Sequence, residues 1–156
     1  MCMKIPPPRA SDFRVGMALV GVVKNIAEFG SFIDFPYTAW GRQFGIDGLL
    51  QFRKTPRPDE ARAYKYDARV RVVVTKWEYA KTKLEVALPA DPNWLTTDVL
   101  ALARGIAMDR AFDRLPILAD ALQDAGCTDA AVLAHCRATA AIEESWLIPL
   151  LIGEHD

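Results

Sequence analysis

The stretch "NIAEFGSFIDF", residues 25–35, decides how the first half of this chain is read. Side chains alternate across a strand, so a strand that starts at Gly30 puts Ser31, Ile33 and Phe35 on one face and Phe32 and Asp34 on the other. With Ile33 and Phe35 turned to a core, Phe32 faces outward beside an aspartate. A ring in that position is either covered by a neighbouring segment or offered to a ligand.

Working outward from this stretch, the segment from Phe13 to Leu88 is a series of short β-type runs. "MALVGVVKNI" precedes it and is rich in valine, and "GIDGLLQF" follows between punctuating glycines. "ARVRVVVTKW" contains a Val–Arg–Val alternation, and "KLEVAL" sets Leu84, Val86 and Leu88 at period two. Between the third and fourth runs, "RKTPRPDEARAYKY" has prolines that stop a strand, and its "DEARAY" is suited to one helical turn. Five strands with a short helical link between the third and fourth describe a five-stranded OB-fold barrel. "IPPPRAS" ahead of them reads as an extended lead-in, which sets an organisation of lead-in (1–12), barrel domain (13–90) and helical domain (91–156).

After "PADPNW" every segment has helical spacing. Thr97 or Asp98 is placed to cap a helix through Val99, Leu102, Ala103, Ile106 and Ala107. Asp113 is placed to cap the next, with Pro116 in its first turn and Gly126 as its stop. Thr128 and Asp129 open a third, and Ser145 is a candidate cap for a last one that Pro149 delays or kinks. The expected fold class is therefore an all-β barrel followed by an all-α bundle of three or four short helices.

The formal charge of −1 hides a split: residues 1–90 hold 15 Lys and Arg against 9 Asp and Glu, whereas 91–156 hold 4 Arg against 11 acids. A basic binding half joined to an acidic half is the expected meaning. The longest apolar run, "WLIPLLI", is far too short to span a bilayer, so no membrane association and a cytoplasmic location are expected. Cys2, Cys127 and Cys136 are odd in number and unpatterned, which argues against a disulfide framework.

"GVVKNIAEFGSFIDF", "GIDGLL", "ARVRVVVTKW" and "KLEVAL" together resemble an S1 RNA-binding domain in order and spacing, over residues 13–88. The resemblance implies that Phe29 and Phe32 stack bases, with Lys24 and Asn25 as the polar pair ending the first strand. It also places Gln51 where many members have histidine, Glu78 where many have aspartate and Lys83 where many have arginine. The physical reading runs in parallel: an exposed ring stacks any base, and surrounding cations attract phosphate. Lys24, Arg42, Arg53, Lys54, Arg57, Lys81 and Lys83 are the cations near that face. One departure is the long connection "PYTAWGRQFG", whose Trp40 and Arg42 either extend the stacking surface or fold back on the protein.

The C-terminal half, above all "DRAFDRLPILADALQDAGC" followed by "LAHCR", is similar to a small uncharacterised helical module of bacterial proteins, which implies no activity. His135, Cys136, Cys127 and His155 lack the spacing of a metal site, and neighbouring His135 and Cys136 on a helix point in different directions. No phosphate loop, nucleophile elbow or paired-carboxylate motif is present. The expectation is a non-catalytic RNA-binding protein without cofactor or metal, taking single-stranded RNA of ribosomal or messenger origin, with the helical half stabilising the barrel or docking a protein partner. The alternative is a protein-interaction adaptor whose barrel face is covered.

Overall fold

The computed structural model describes residues 12–35, 46–138 and 144–153. Strands β1 (Ala18–Ile26), β2 (Gly30–Asp34), β3 (Asp47–Gln51), β4 (Arg69–Glu78) and β5 (Lys83–Ala87) close into a barrel in the order β1-β2-β3-β5-β4. Helix α1 (Pro58–Ala63) links β3 to β4. Every pairing is antiparallel except β3 with β5. This is the OB arrangement read from the sequence.

Alternation fills the interior as expected. Val23, Ile33, Phe35, Leu50, Val70, Val72, Val74, Leu84 and Val86 form one buried cluster. Phe35 needs room there, and two glycines supply it: a Cβ on Gly48 would lie 2.8 Å from the Phe35 ring, and one on Gly21 would strike both Ile33 and Phe35. Bulges then turn selected side chains outward. The β1–β2 register shifts between Val23 and Asn25, which sets Asn25 directly opposite Phe32. The β4–β5 register shifts between Val74 and Lys76, so that Trp77 packs inward on Phe13 at 4.9 Å while Lys76 pairs with Glu85.

The helical half has four α-helices among the described residues: α2 (Thr97–Asp109), α3 (Leu115–Asp124), α4 (Ala130–Cys136) and α5 (Leu147–Ile152). The cap of α2 is Thr96, one residue before the positions expected, because its extended backbone lets Oγ1 accept from the Val99 amide at 3.3 Å. Asp113 does not cap α3. It sits in a 3₁₀ turn (Phe112–Arg114) that runs straight into the helix, and the Phe112 carbonyl accepts from the Leu115 amide, the first of the helix. Asp129 caps α4 as expected, accepting from Ala131 and Val132. Pro149 lies in the first turn of α5, where its missing N–H has no intrahelical partner to lose. Gly126, at φ 95, follows α3, and buried Cys127 lies beyond that helix rather than on it.

The halves share a core. The second buried cluster joins Val99, Ile106, Leu118, Leu122, Val132 and Leu147 to Val73 and Ala87, which stand on the outer surface of β4 and β5. A polar clasp adds to this contact. Arg57, in the left-handed region at φ 49, donates its amide to Asp129 Oδ2 at 2.7 Å and its guanidinium to the Pro89 carbonyl at 2.8 Å. The bundle therefore covers the β4–β5 side of the barrel.

Candidate nucleic-acid interface

Cross-strand register lays out the barrel's outer face. Asn25 of β1 lies opposite Phe32 of β2, Phe32 opposite Leu49 of β3, Leu49 beside Glu85 of β5, and Glu85 beside Lys76 of β4. Phe29 stands in the tight β1–β2 turn, closed by Ala27 N–H donating to the Gly30 carbonyl at 2.8 Å. Its ring is 56% exposed and meets Phe32 edge to face, with centroids 6.1 Å apart and planes at 87°. Such a pair is mutually braced, since the edge of one ring faces the π-cloud of the other.

Tyr66 was not read as a site residue from the sequence. It is 60% exposed and donates its hydroxyl to Asn25 Oδ1 at 3.4 Å, which brings a third ring to the Phe29–Phe32 patch. The signal available was "AYKY", aromatics alternating with lysine in the link before β4.

The other candidates fall into two further groups. Glu78 and Lys83 face one another at the turn end of the β4–β5 hairpin. Glu78 is engaged by Lys76 at 2.9 Å and Lys81 at 3.6 Å, and the Lys76 hydrogen bond holds its carboxyl below the usual range. Gln51 and Arg53 instead line a cleft of about 440 Å³ between the barrel's outer face and the α4–α5 region. There Gln51 Nε2 donates to Glu85, a carboxylate only 6% exposed. Lys24, at the near end of the face, is paired with Asp47 at 3.4 Å. Trp40 and Arg42, with the rest of 36–45, lie outside the described residues, as do Cys2, His155 and the lead-in up to residue 11.

The opposite wall of the cleft carries His135. Its Nε2 lies 2.6 Å from Ser145 Oγ and its ring 4.8 Å from that of Trp146. Burial, helped by nearby Lys54, pushes this imidazole down to about 4, so it is neutral at pH 7. Burial likewise pushes the Cys136 thiol up to about 12 and raises that of Cys127, which leaves both as packing residues in the helical core. No cluster of three or more His, Cys, Asp or Glu suited to a metal occurs among the described residues, and no described helix is long and apolar enough to cross a membrane.

Neither a protein-family model nor a curated protein matches this sequence. Among solved structures, the chain is similar to an uncharacterized protein from Methanocaldococcus jannaschii, with 20% identity over 57% of this chain and 100% of that one and a TM-score of 0.38. It is similar to GSP13 from Bacillus subtilis, with 18% identity over 49% of this chain and 56% of that one and a TM-score of 0.38. It is also similar to a chain of the a/eIF2alpha-aDim2p-rRNA complex from Pyrococcus horikoshii, with 16% identity over 67% of this chain and 59% of that one and a TM-score of 0.39.

Proposed function

We propose that this chain is a non-catalytic protein of the cytoplasm that binds single-stranded RNA on an S1-type face of its barrel. The observation that carries the reading is the exposed, edge-to-face Phe29–Phe32 pair, flanked by Asn25 and Tyr66. Rings so held lose little freedom when a base stacks on them, and each stacked base contributes about 1 to 3 kcal/mol. Arg53, Lys54 and Lys83 carry no ion pair among the described residues and supply attraction for phosphate. The acidic helical half acts here as a brace that covers Val73 and Ala87, and as the part available to a protein partner.

Fluorescence anisotropy of a labelled single-stranded RNA, at low and physiological salt, tests the reading. The wild-type protein binds, salt weakens it, and Phe29→Ala/Phe32→Ala reduces affinity by at least about fivefold, as loss of even one stacked base requires. A folded double mutant that binds as well as wild type refutes it.

A further inference from the structure

We infer that the cleft between the barrel and the α4–α5 region receives one unstacked nucleobase and selects guanine. The inference rests on the RNA-binding reading above and adds a point of sequence selectivity to a face that otherwise stacks any base.

The cleft, at about 440 Å³, falls within the range of small-ligand sites, roughly 300 to 1,000 Å³. Its position follows the stacking face: Leu49 alone separates Phe32 from Glu85 across the strands, a distance of roughly 10 Å at two strand spacings. A strand of RNA stacked at Phe32 therefore has a neighbouring nucleotide within reach of the opening.

The chemistry inside is directional. Gln51 donates its amide N–H to Glu85, and this bond orients the amide, because the reverse orientation would set oxygen against oxygen. One of the amide's two N–H groups is thereby taken, and the Glu85 carboxylate, whose second oxygen has no partner among the described residues, stands beside Gln51 Oε1 as the acceptor of the cleft. Lys76 also lines the cleft, but its ammonium is held by Glu78 at 2.9 Å and Glu144 at 3.3 Å. Of the four bases, guanine presents two adjacent donors, N1–H and the N2 amino group, to such an edge. Adenine and cytosine each set a bare ring nitrogen beside their amino group, and uracil sets its single N–H between two carbonyls. Each of these three would press an acceptor against the nearly buried Glu85 carboxylate. The neutral imidazole of His135, backed by Trp146, offers a flat wall for the base, and Arg53 and Lys54 lie where its phosphate would emerge.

Anisotropy with oligouridine RNAs carrying a single central guanosine, inosine or adenosine tests the inference. For wild type, guanosine improves affinity over adenosine by roughly tenfold, the scale of one bidentate base contact, and inosine, which lacks the N2 amino group, falls between. Glu85→Gln abolishes the guanosine advantage, read as the ratio of guanosine to adenosine affinities, so that any change common to all oligouridines cancels. The inosine comparison uses wild-type protein alone and so decides the matter even where the variant fails to fold. In parallel, guanosine monophosphate titrated into ¹⁵N-labelled protein shifts the Gln51 side-chain amide resonances, and adenosine monophosphate does not.

Oligouridine binding with no preference for guanosine, and a silent Gln51 amide, overturns the guanine pocket and leaves the stacking face standing. A shifted Gln51 amide without oligouridine binding overturns the RNA-binding reading and retains the cleft as a guanine nucleotide site. Absence of both overturns both.

Discussion

Protonation of His135 should loosen the helical half from mildly acidic pH downward. Its ring is neutral in the fold, hydrogen-bonded to Ser145, set against Trp146 and close to the Lys54 ammonium, and burial is the main reason its proton affinity is low. With 6.5 in the unfolded chain and about 4 in the fold, the unfolded state binds the proton first. Stability attributable to this group is intact above about pH 6.5 and is lost as pH falls from there through about 4. Linkage makes the loss about 1.4 kcal/mol at pH 5.5, approaching roughly 3 kcal/mol below pH 4. For a chain of this length that is about 3 to 6 °C in Tm at pH 5.5. Thermal melts by circular dichroism at pH 7.5 and 5.5 measure it directly, for wild type and for His135→Gln, whose amide reaches the position of Nε2 but does not titrate. The variant starts from lower stability yet has the flatter dependence on pH. The lowered carboxyl of Glu78 acts in the same direction, but only below the usual carboxylate range, which is why the comparison stops at pH 5.5. Equal losses in wild type and variant between those two pH values would refute the assignment.

Three further perturbations test the architecture. Asp129→Ala removes the cap of α4 and the acceptor for the Arg57 amide together, and should cost about 1 to 3 kcal/mol in a urea melt, against a few tenths for an ordinary surface aspartate. Val73→Asp puts a charge where the bundle meets the barrel, so limited proteolysis should cut near residue 90 and release a folded barrel; a variant as resistant as wild type would show the halves to be held otherwise. Gly30→Ala drives a Cβ to 2.5 Å from the Leu50 carbonyl oxygen of the paired strand, and should destabilise the barrel by roughly 1 to 3 kcal/mol by differential scanning calorimetry.

The barrel was legible because its physics is local. Period-two alternation at Leu84, Val86 and Leu88 needs no knowledge of the partner strand, and Ile33 and Phe35 are inside for the same reason. Helix ends were less legible. A cap is decided by backbone angles at one residue, so Thr96 could not be told from Thr97, and the 3₁₀ turn that displaces Asp113 depends on how α2 and α3 pack. What escaped altogether was long-range. "RVVVT" interrupts its own alternation with Val73, an outward valine that marks a second covered face, yet nothing in sequence says what covers it. The pairing of Gln51 with Glu85 spans two strands that are distant in sequence and parallel in space, so an assignment of Gln51 by resemblance alone missed its partner. Tyr66 reaches Asn25 only because the α1–β4 link folds over the end of β1.

Those pairings also change what the basic half of the chain can do. Six of the cations proposed from the sequence for phosphate attraction lie among the described residues, and three of them are already spoken for: Lys24 by Asp47, Lys81 by Glu78 and Arg57 by Glu60. A cation beside a carboxylate carries little condensed anion to release, and the carboxylate itself repels phosphate, so such residues add little to salt dependence even though the pair contributes little to stability. Arg53, Lys54 and Lys83 remain. For single strands the slope of log K against log salt is about −0.7 per phosphate neutralised, which gives about −2 for three cations and about −4 for six. Between 50 and 200 mM salt the first value weakens binding roughly 20-fold and the second roughly 300-fold, a difference that anisotropy resolves easily. A slope near −2 would mean that stacking on Phe29 and Phe32, rather than charge, sets the affinity of this face. A slope near −4 would mean that RNA displaces the carboxylates from their partners, and the ion pairs would then be gates on the surface that binding opens.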